Sequence, residues 1–247
     1  MSNLLIERHA THWTVTLNRP AQRNALDSGV IEDLLRVFEG AEEARPSLIV
    51  LQGEGPCFSA GFDMTDLRTQ SDGDLVLRFI RIETLLNQIA TSKAFTLAFA
   101  HGRNFGAGVD LFAACNMRVV EPATTFCMPG LKFGLVLGTA RFARIVGTRE
   151  GRRILESATA FDAERAKSNS FAERIADRHE RAQIISETLI RIHVLPPASR
   201  ALLGSALATG DADVDLAALV RSASIPGLRD RIEAYLSTTR MAKLAGM

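Results

Sequence analysis

Two glycine-containing segments, each placed directly after an apolar run, constrain this 247-residue chain more than any other feature. The first is Phe58–Met64, which follows the run Ser47–Gln52, and the second is His101–Asp110, which follows Ala94–Ala100. Glycine allows backbone conformations that a β-carbon would obstruct, so each segment predicts a tight turn at the end of a strand. Peptide N–H groups left free at two such turns can point at one developing negative charge, which is the arrangement called an oxyanion hole.

Four motifs in a fixed order resemble the enoyl-CoA hydratase/isomerase (crotonase) superfamily. The two turns are similar to its F-x-A-G-x-D and G-x-x-x-G-G-G-x-E/D motifs. Upstream, Leu17–Pro20 and Asn24–Leu26 match its L-N-R-P…N-A-L opening, and downstream Thr139–Gly147 matches its T-x-R-L…V-G segment. The resemblance extends from about Leu4 to about Ala172 and fades towards the C-terminus.

This resemblance implies the architecture. It predicts an α/β fold, a crotonase-type spiral of β-β-α units with a helical C-terminal region. Residues 1–175 are expected to form the core with the acyl-CoA site, and residues 176–247 to serve in oligomerisation and as a cover for the pocket. Members of the family pack as trimers or pairs of trimers, so the resemblance implies a homotrimer or hexamer.

Hydrophobic periodicity independently predicts alternating strands and helices, which is typical of α/β layering. Strands are expected at Leu4–Glu7, Trp13–Leu17, Leu48–Leu51, Ala94–Ala100, Met117–Val120 and Thr124–Cys127. Helices are expected from Asp27 or Ser28 to Gly40, at Asp74–Ile89, through Leu111 to Cys115, and at Arg181–Val194, Ser199–Leu207 and Ile225–Leu236. The continuous apolar run Leu48–Leu51 is typical of a strand buried on both faces.

Composition narrows the class of partner. The chain is 47% hydrophobic and 23% charged, as in ordinary globular proteins. Its net charge of +1 is not gathered in a basic stripe, so neither nucleic acid nor a membrane surface is expected as a partner. The three cysteines form no C-x-x-C pair and no cluster with histidine, so we expect no metal site and no disulfide framework. With no signal peptide and no bilayer-length apolar run, the chain is predicted to be cytoplasmic.

The resemblance also assigns catalytic roles. The backbone N–H groups of Phe62 and Ala107 are the expected donors to a thioester carbonyl oxygen. Asp110 occupies the position where hydratases carry the first of two glutamates, and a carboxylate there can move a proton. A purely structural role remains open, because Asp110 also complements the N-terminal end of its helix. Gly130 stands where the second glutamate would be.

Further residues are matched to substrate binding. Arg23, Asn24 and Ala25 lie in the family region that holds the adenine end of coenzyme A, and Ala60, Asp63 and Met64 lie in the first turn. Asp63 is interpreted chiefly as an acceptor that stabilises the turn. Ser59 has no G-x-S-x-G motif around it, which argues against a serine hydrolase. Cys115, Cys127 and His101 are interpreted as packing or structural residues.

A single carboxylate favours double-bond isomerisation over hydration, because hydration holds one water between two carboxylates. The sequence therefore predicts an isomerase or lyase in fatty-acid metabolism, with no cofactor beyond the coenzyme A of its acyl-CoA substrate. Decarboxylation and thioester hydrolysis stay open. The alternative from another class is a non-catalytic acyl-CoA-binding or scaffold protein, which Gly130 and a shortened segment Phe133–Thr139 favour and Asp110 opposes.

Overall fold

The computed structural model describes residues 2–207 and 210–244. Its strands are β1 Leu4–Arg8, β2 His12–Leu17, β3 Leu48–Gly53, β4 Phe95–Ala100, β5 Arg103–Phe105, β6 Met117–Val120, β7 Thr125–Cys127, β8 Phe161–Asp162 and β9 Arg174–Ile175. Its helices are α1 Ser28–Ala44, α2 Asp72–Ala90, α3 Ala107–Ala113, α4 Thr139–Val146, α5 Thr148–Ser157, α6 Ala163–Ser168, α7 Arg181–His193, α8 Pro197–Leu207, α9 Ala212–Ala223 and α10 Leu228–Leu244. No helix within the described ranges is long and apolar enough to cross a membrane.

Six strands form the central sheet in the order β1-β2-β3-β4-β6-β9. The first pair is antiparallel, and every later pair is parallel, with Thr14 opposite Val50 and Val50 opposite Leu97. Because the carboxyl ends of parallel strands meet at one edge, the segments that follow β3 and β4 emerge side by side. Both glycine turns therefore lie at the same edge of the sheet.

The central sheet is buried on both faces, as the apolar run at residues 48–51 predicted. Ile49 and Leu51 point into the main hydrophobic core, which also contains most of α1, α2 and α3. Leu48 and Val50 belong to a smaller core on the opposite face, which α7 covers with Ile184 and other side chains. Because successive side chains of β3 point to opposite faces of the sheet, this one strand contributes to both cores.

A second, three-stranded sheet has the order β5-β7-β8 and stands behind the second turn. Phe126 of β7 stacks on Phe112 of α3 at 5.3 Å and on Phe161 of β8 at 5.4 Å, between ring centroids. Phe171 packs against the same rings. This aromatic cluster fixes α3, and with it Ala107 and Asp110, against a rigid base.

Several predicted boundaries are wrong. Helix α1 continues through Gly40 and ends at Ala44, where Arg45 adopts the left-handed conformation with φ of 50°. Gly40 is half-buried beside Trp13 in a helix whose apolar face is buried, so its entropic cost is outweighed by packing. The C-terminal helix begins at Leu228 rather than at residue 225.

Helix α9 was missed altogether, although Leu216, Leu219 and Ala223 lie on one face at helical spacing. In the structure Asp211 caps its N-terminus, and its side chain accepts hydrogen bonds from the backbone N–H groups of Asp213 and Val214. Leu219 and Ala223 of α9 enter the main core together with Leu228 and Ile232 around the start of α10. The C-terminal helices therefore pack onto the body that carries the two turns.

Candidate active site

The first turn is held so that one peptide N–H stays free. Leu26 donates its N–H to the carbonyl of Gly61 at 2.7 Å, and Asp63 donates its N–H to the carbonyl of Leu26 at 3.1 Å. This short parallel bridge uses the residues on either side of Phe62 and leaves the Phe62 N–H out. That group donates to no described residue.

The second turn presents the matching group. Gly106 has φ of 46° and ψ of −121°, a conformation open to glycine, and it starts α3 at Ala107. The first N–H groups of a helix have no acceptor within it, and the Ala107 N–H donates to no described residue. A β-carbon on Gly61 would overlap the Phe105 carbonyl and lie 3.2 Å from the Ala107 nitrogen. Glycine at position 61 is what allows the first turn to pack directly against the start of α3.

Phe62 and Ala107 both line a pocket with a cavity volume of about 70 Å³. Its lining is apolar apart from Asp110 and Thr139, and Asp110 is the one charged side chain among the described residues that line it. The lining consists of Ala60, Phe62, Met64, Phe79, Phe105, Gly106, Ala107, Asp110, Met128, Pro129, Gly130, Leu131, Phe133, Leu135, Leu137, Thr139 and Leu155.

Asp110 stands one turn into α3 and is 2% exposed. No described residue donates a hydrogen bond to its carboxyl, and Oδ1 is enclosed without a partner. Burial raises the pKa of Asp110 well above its usual range, the nearby charge of Glu83 raises it further, and Arg141 opposes both. A carboxyl in this setting is a stronger base than one in water, which suits it to proton transfer.

Two charged residues behind Asp110 were not assigned a role from the sequence. Glu83 of α2 is 1% exposed, and its Oε1 accepts a hydrogen bond from the Arg141 guanidinium of α4 at 3.0 Å. A signal for Glu83 existed, because it lies at helical spacing from Phe79 and Leu86 on the buried face of α2. An acidic residue at such a position is rare unless it is paired.

Gly130 lines the same pocket as Asp110, and it offers no side chain. It begins a short 3₁₀ turn, Gly130–Phe133, whose residues Gly130, Leu131 and Phe133 form part of the pocket wall. Helices α9 and α10 hold this wall in place. Ser222 accepts a hydrogen bond from the Val136 N–H at 3.0 Å, and Arg231 donates to the Phe133 carbonyl at 2.8 Å.

The predicted coenzyme A contacts fall into two groups. Ala60 and Met64 line the pocket, whereas Arg23 does not line it and is exposed. Asn24, in contrast, is buried, and its amide donates to the carbonyls of Glu54 at 2.8 Å and Cys57 at 2.9 Å. The Asn24 side chain therefore stabilises the loop between β3 and the first turn.

Asp63 braces the loop in the same way. Its carboxylate accepts hydrogen bonds from the Thr65 hydroxyl at 2.6 Å, the Thr65 N–H at 3.0 Å and Arg19 at 3.1 Å. Burial acts to raise the pKa of Asp63, but these hydrogen bonds outweigh burial and lower it. Arg19 also donates to the carbonyl of Ala25 at 2.7 Å. Contact of Asn24, Ala25 and Asp63 with coenzyme A stays a prediction.

Alternative nucleophiles are occupied or buried. The Ser59 hydroxyl donates to the Asn24 carbonyl at 2.8 Å and accepts from the Gly61 N–H at 3.1 Å, so it holds the first turn. Burial raises the pKa of the Cys115 thiol to about 12. His101 is buried with Nε2 2.9 Å from the Gly55 carbonyl, and burial lowers its pKa.

Comparison with known proteins identifies the family that has this fold. The family model for enoyl-CoA hydratase/isomerase matches residues 7–222. The chain therefore belongs to the enoyl-CoA hydratase/isomerase family.

Individual relatives agree with this assignment. An enoyl-CoA isomerase/hydratase of Mycosarcoma maydis is 26% identical over 219 residues, 83% of this chain and 79% of that protein. A probable enoyl-CoA hydratase of Mycobacterium bovis is 33% identical over 165 residues, 66% of each chain. A crystal structure of a Bordetella parapertussis protein assigned as an enoyl-CoA hydratase/isomerase is 50% identical, with a TM-score of 0.93 over 95% of this chain and 98% of that one.

Proposed function

We propose that this protein isomerises the double bond of an enoyl-CoA thioester, with Asp110 as the single group that moves the proton. The observation that carries the proposal is the isolation of Asp110. It is the one charged side chain among the described pocket residues, and it lies in the same pocket as the free N–H groups of Phe62 and Ala107.

The proposed step balances with one carboxylate. Asp110 removes a proton from C2 of a 3-enoyl thioester, and the electron pair delocalises onto the thioester oxygen as a dienolate. The N–H groups of Phe62 and Ala107 stabilise that oxygen, and each such donor is worth about 3–4 kcal/mol in the barrier. The same carboxyl then returns its proton to C4, so the double bond moves from C3–C4 to C2–C3 and no other reactant is consumed.

Hydration is less well supported. It needs a water molecule held and activated in the pocket, and a second acid or base to complete proton transfer. Gly130 supplies no side chain to the pocket, and the neighbouring lining residues Met128, Leu131 and Leu135 are apolar. An apolar wall of this kind retains a water poorly, because a buried water needs 2–4 polar partners.

The decisive experiment incubates the protein with 3-enoyl-CoA thioesters of short chain and follows formation of the conjugated 2-enoyl product by absorbance and chromatography. Asp110→Asn is expected to lower kcat by about 10²–10⁴-fold, the usual worth of a positioned acid–base group. Asp230→Asn makes the same chemical change on an exposed side chain of α10 and is expected to keep full activity.

Mass spectrometry on the same mixtures separates the other reactions. Gain of water from a 2-enoyl thioester would favour hydration, and loss of carbon dioxide from a malonyl-type thioester would favour decarboxylation. Thioester binding with no conversion of any substrate would favour the non-catalytic scaffold and contradict the proposal.

We further propose that the protein self-associates as a trimer or hexamer. Ile190 and Val194 at the end of α7 and Leu202 on α8 are each at least 70% exposed in the single chain. Ile190 and Val194 lie one helical turn apart, and neighbouring exposed apolar side chains are typical of protein–protein contacts. Light scattering coupled to size exclusion measures the state, and a monomer across the micromolar range would contradict this proposal.

A further inference from the structure

Glu83 is the second buried carboxyl near the pocket, although it does not line the pocket. It lies on the buried face of α2, and Arg141 of α4 donates to its Oε1 at 3.0 Å. Its Oε2 is enclosed and has no hydrogen-bond partner in the described part of the chain. Oε1 of Glu83 is therefore paired with Arg141, and Oε2 has no described hydrogen-bond partner.

The surroundings of Arg141 determine how far it can neutralise Glu83. Its NH2 also donates to the Asn87 side-chain oxygen at 2.7 Å, and it lies 3.9 Å from Asp215 of α9. Asp215 in turn pairs with Arg144 of α4 at 2.5 Å. Arg141 is thus shared between two carboxyls, and its NH1 is buried without a partner among the described residues.

The numbers of acidic and basic side chains around Asp110 indicate which carboxyl is most readily protonated. The cluster contains three carboxyls, on Asp110, Glu83 and Asp215, and two guanidinium groups, on Arg141 and Arg144. Two of the carboxyls make ion pairs, and Asp110 makes none with a described residue. Burial raises the pKa of Glu83 as well, but Arg141 acts to lower it, whereas Asp110 is buried without a pair. An unpaired buried carboxylate carries the larger desolvation penalty, so protonation is favoured on Asp110.

The field of Glu83 reaches Asp110 without a hydrogen bond between them. Gly138, at the start of α4, separates the pocket from the Arg141 pair, and a β-carbon there would lie 2.6 Å from Asp110 Cγ. Glu83 from α2 and Arg141 from α4 are the charged groups that act on Asp110, with opposite signs. On the pocket side, the described lining residues present no other charge.

We propose that Glu83 is a positioning residue whose negative charge strengthens Asp110 as a base while remaining outside the pocket. The inference rests on the proposed function for its catalytic consequence. When Asp110 is ionised, its carboxylate and that of Glu83 repel each other across Gly138. When Asp110 takes the substrate proton, the negative charge moves to the thioester oxygen and the repulsion is relieved. The interaction therefore favours the enolate over the starting complex.

This mechanism predicts two opposite effects of Glu83→Gln. Removing the charge makes Asp110 easier to ionise, so the acid limb of the kcat/KM profile moves to lower pH by about 1 unit, the lower end of the effect of a nearby like charge. The ionised Asp110 is then a weaker base, so the plateau falls by about 10-fold. Structural damage alone lowers the plateau and leaves the acid limb where it was.

A second measurement needs no turnover. The protein is labelled with aspartate carrying ¹³C at Cγ, and the Asp110 signal is assigned by its loss in Asp110→Asn. In Glu83→Gln its titration midpoint is expected to fall by about 1 pH unit. Glu173→Gln is the matched control, since Glu173 pairs with Arg118 at 2.9 Å and does not act on Asp110. An unmoved midpoint in folded Glu83→Gln overturns the inference.

Asp215→Asn covers the case in which Glu83→Gln does not fold. This variant removes one negative charge near the edge of the cluster and leaves Arg141 less neutralised. The positive charge of Arg141 then favours ionised Asp110 more strongly, so the titration midpoint of Asp110 is expected to fall by a smaller amount than in Glu83→Gln. A midpoint that rises or stays constant contradicts the inference. If the wild type converts no thioester while the midpoints move as expected, the proposed function fails and the coupling between Glu83 and Asp110 stands.

Discussion

The carboxyl of Asp110 rests directly on the backbone of Gly138: a β-carbon at position 138 would overlap Oδ1 and lie 2.6 Å from Cγ. Gly138 also has φ of 58° and forms the N-cap of α4. One residue thus both starts the helix that carries Arg141 and leaves the space in which the pocket carboxyl sits. The position of Asp110 depends on the absence of a side chain there.

Gly138→Ala is accordingly expected to displace Asp110 and lower kcat by at least about 10²-fold, because a misplacement near 1 Å carries a cost of that order. Gly147→Ala is the matched control. Gly147 lies at the other end of α4 with φ of 84°, but a β-carbon there would meet no atom of the described residues within 4 Å. Both variants are expected to unfold at lower temperature, and only Gly138→Ala to lose turnover. Equal losses of kcat would contradict the steric role of Gly138.

Ser59 is expected to act through the turn and not as a nucleophile. Ser59→Ala removes the acceptor of the Gly61 N–H and the donor to the Asn24 carbonyl, which destabilises the fold by about 1–3 kcal/mol. Denaturant unfolding measures this loss against Ser168→Ala, whose hydroxyl is exposed. Turnover is expected to persist in Ser59→Ala. Complete loss of activity in a protein that remains folded would indicate a nucleophilic serine.

The sequence was sufficient for the local features that depend on motif and periodicity. The strands before both turns, the run buried on two faces and the capping of α1 by Asp27 all follow from residue type and spacing. Helix α9 carried a periodic signal that was missed, since Leu216, Leu219 and Ala223 lie at helical spacing. Its packing partner α2, however, lies at long range in the chain. Propensity and period carry no information on such contacts.

The same limit applies to the site. Asp110 and the two turns lie within the matched motifs, so the sequence could name them. Glu83 lies in a helix with no motif, and its importance depends on Arg141, 58 residues further on. Its position on the apolar face of α2 was a usable signal that something must pair with it, but the identity of the partner is a property of the fold.

The size of the pocket leads to a prediction for Phe62. Its ring stacks on Phe79 with centroids 4.4 Å apart, and the Arg78 guanidinium lies 4.0 Å above it. Phe62→Ala keeps the backbone N–H and enlarges the cavity, so longer acyl chains are expected to gain in kcat/KM relative to short ones. A discrimination of about 1–3 kcal/mol per methylene group sets the scale of the change. Leu77→Ala, on an exposed side chain of α2, is the control, and an unchanged chain-length preference in Phe62→Ala would contradict the prediction.

The raised pKa of Asp110 also predicts how stability depends on pH. Its folded-state pKa is above the unfolded value of 3.8, so the folded protein binds this proton more tightly than the unfolded chain does. The contribution of Asp110 to stability is therefore fully present below pH 3.8 and is lost as pH rises through the folded pKa, with a slope of up to about 1.4 kcal/mol per pH unit. Asp110→Asn removes this dependence, so its stability relative to the wild type is expected to increase with pH in urea unfolding. Asp63, whose folded pKa is lowered, behaves oppositely: its contribution is present above its unfolded pKa and lost as pH falls, so Asp63→Asn costs more stability at neutral than at acid pH. If the difference in unfolding free energy between Asp110→Asn and the wild type does not vary with pH, Asp110 titrates normally in the folded protein.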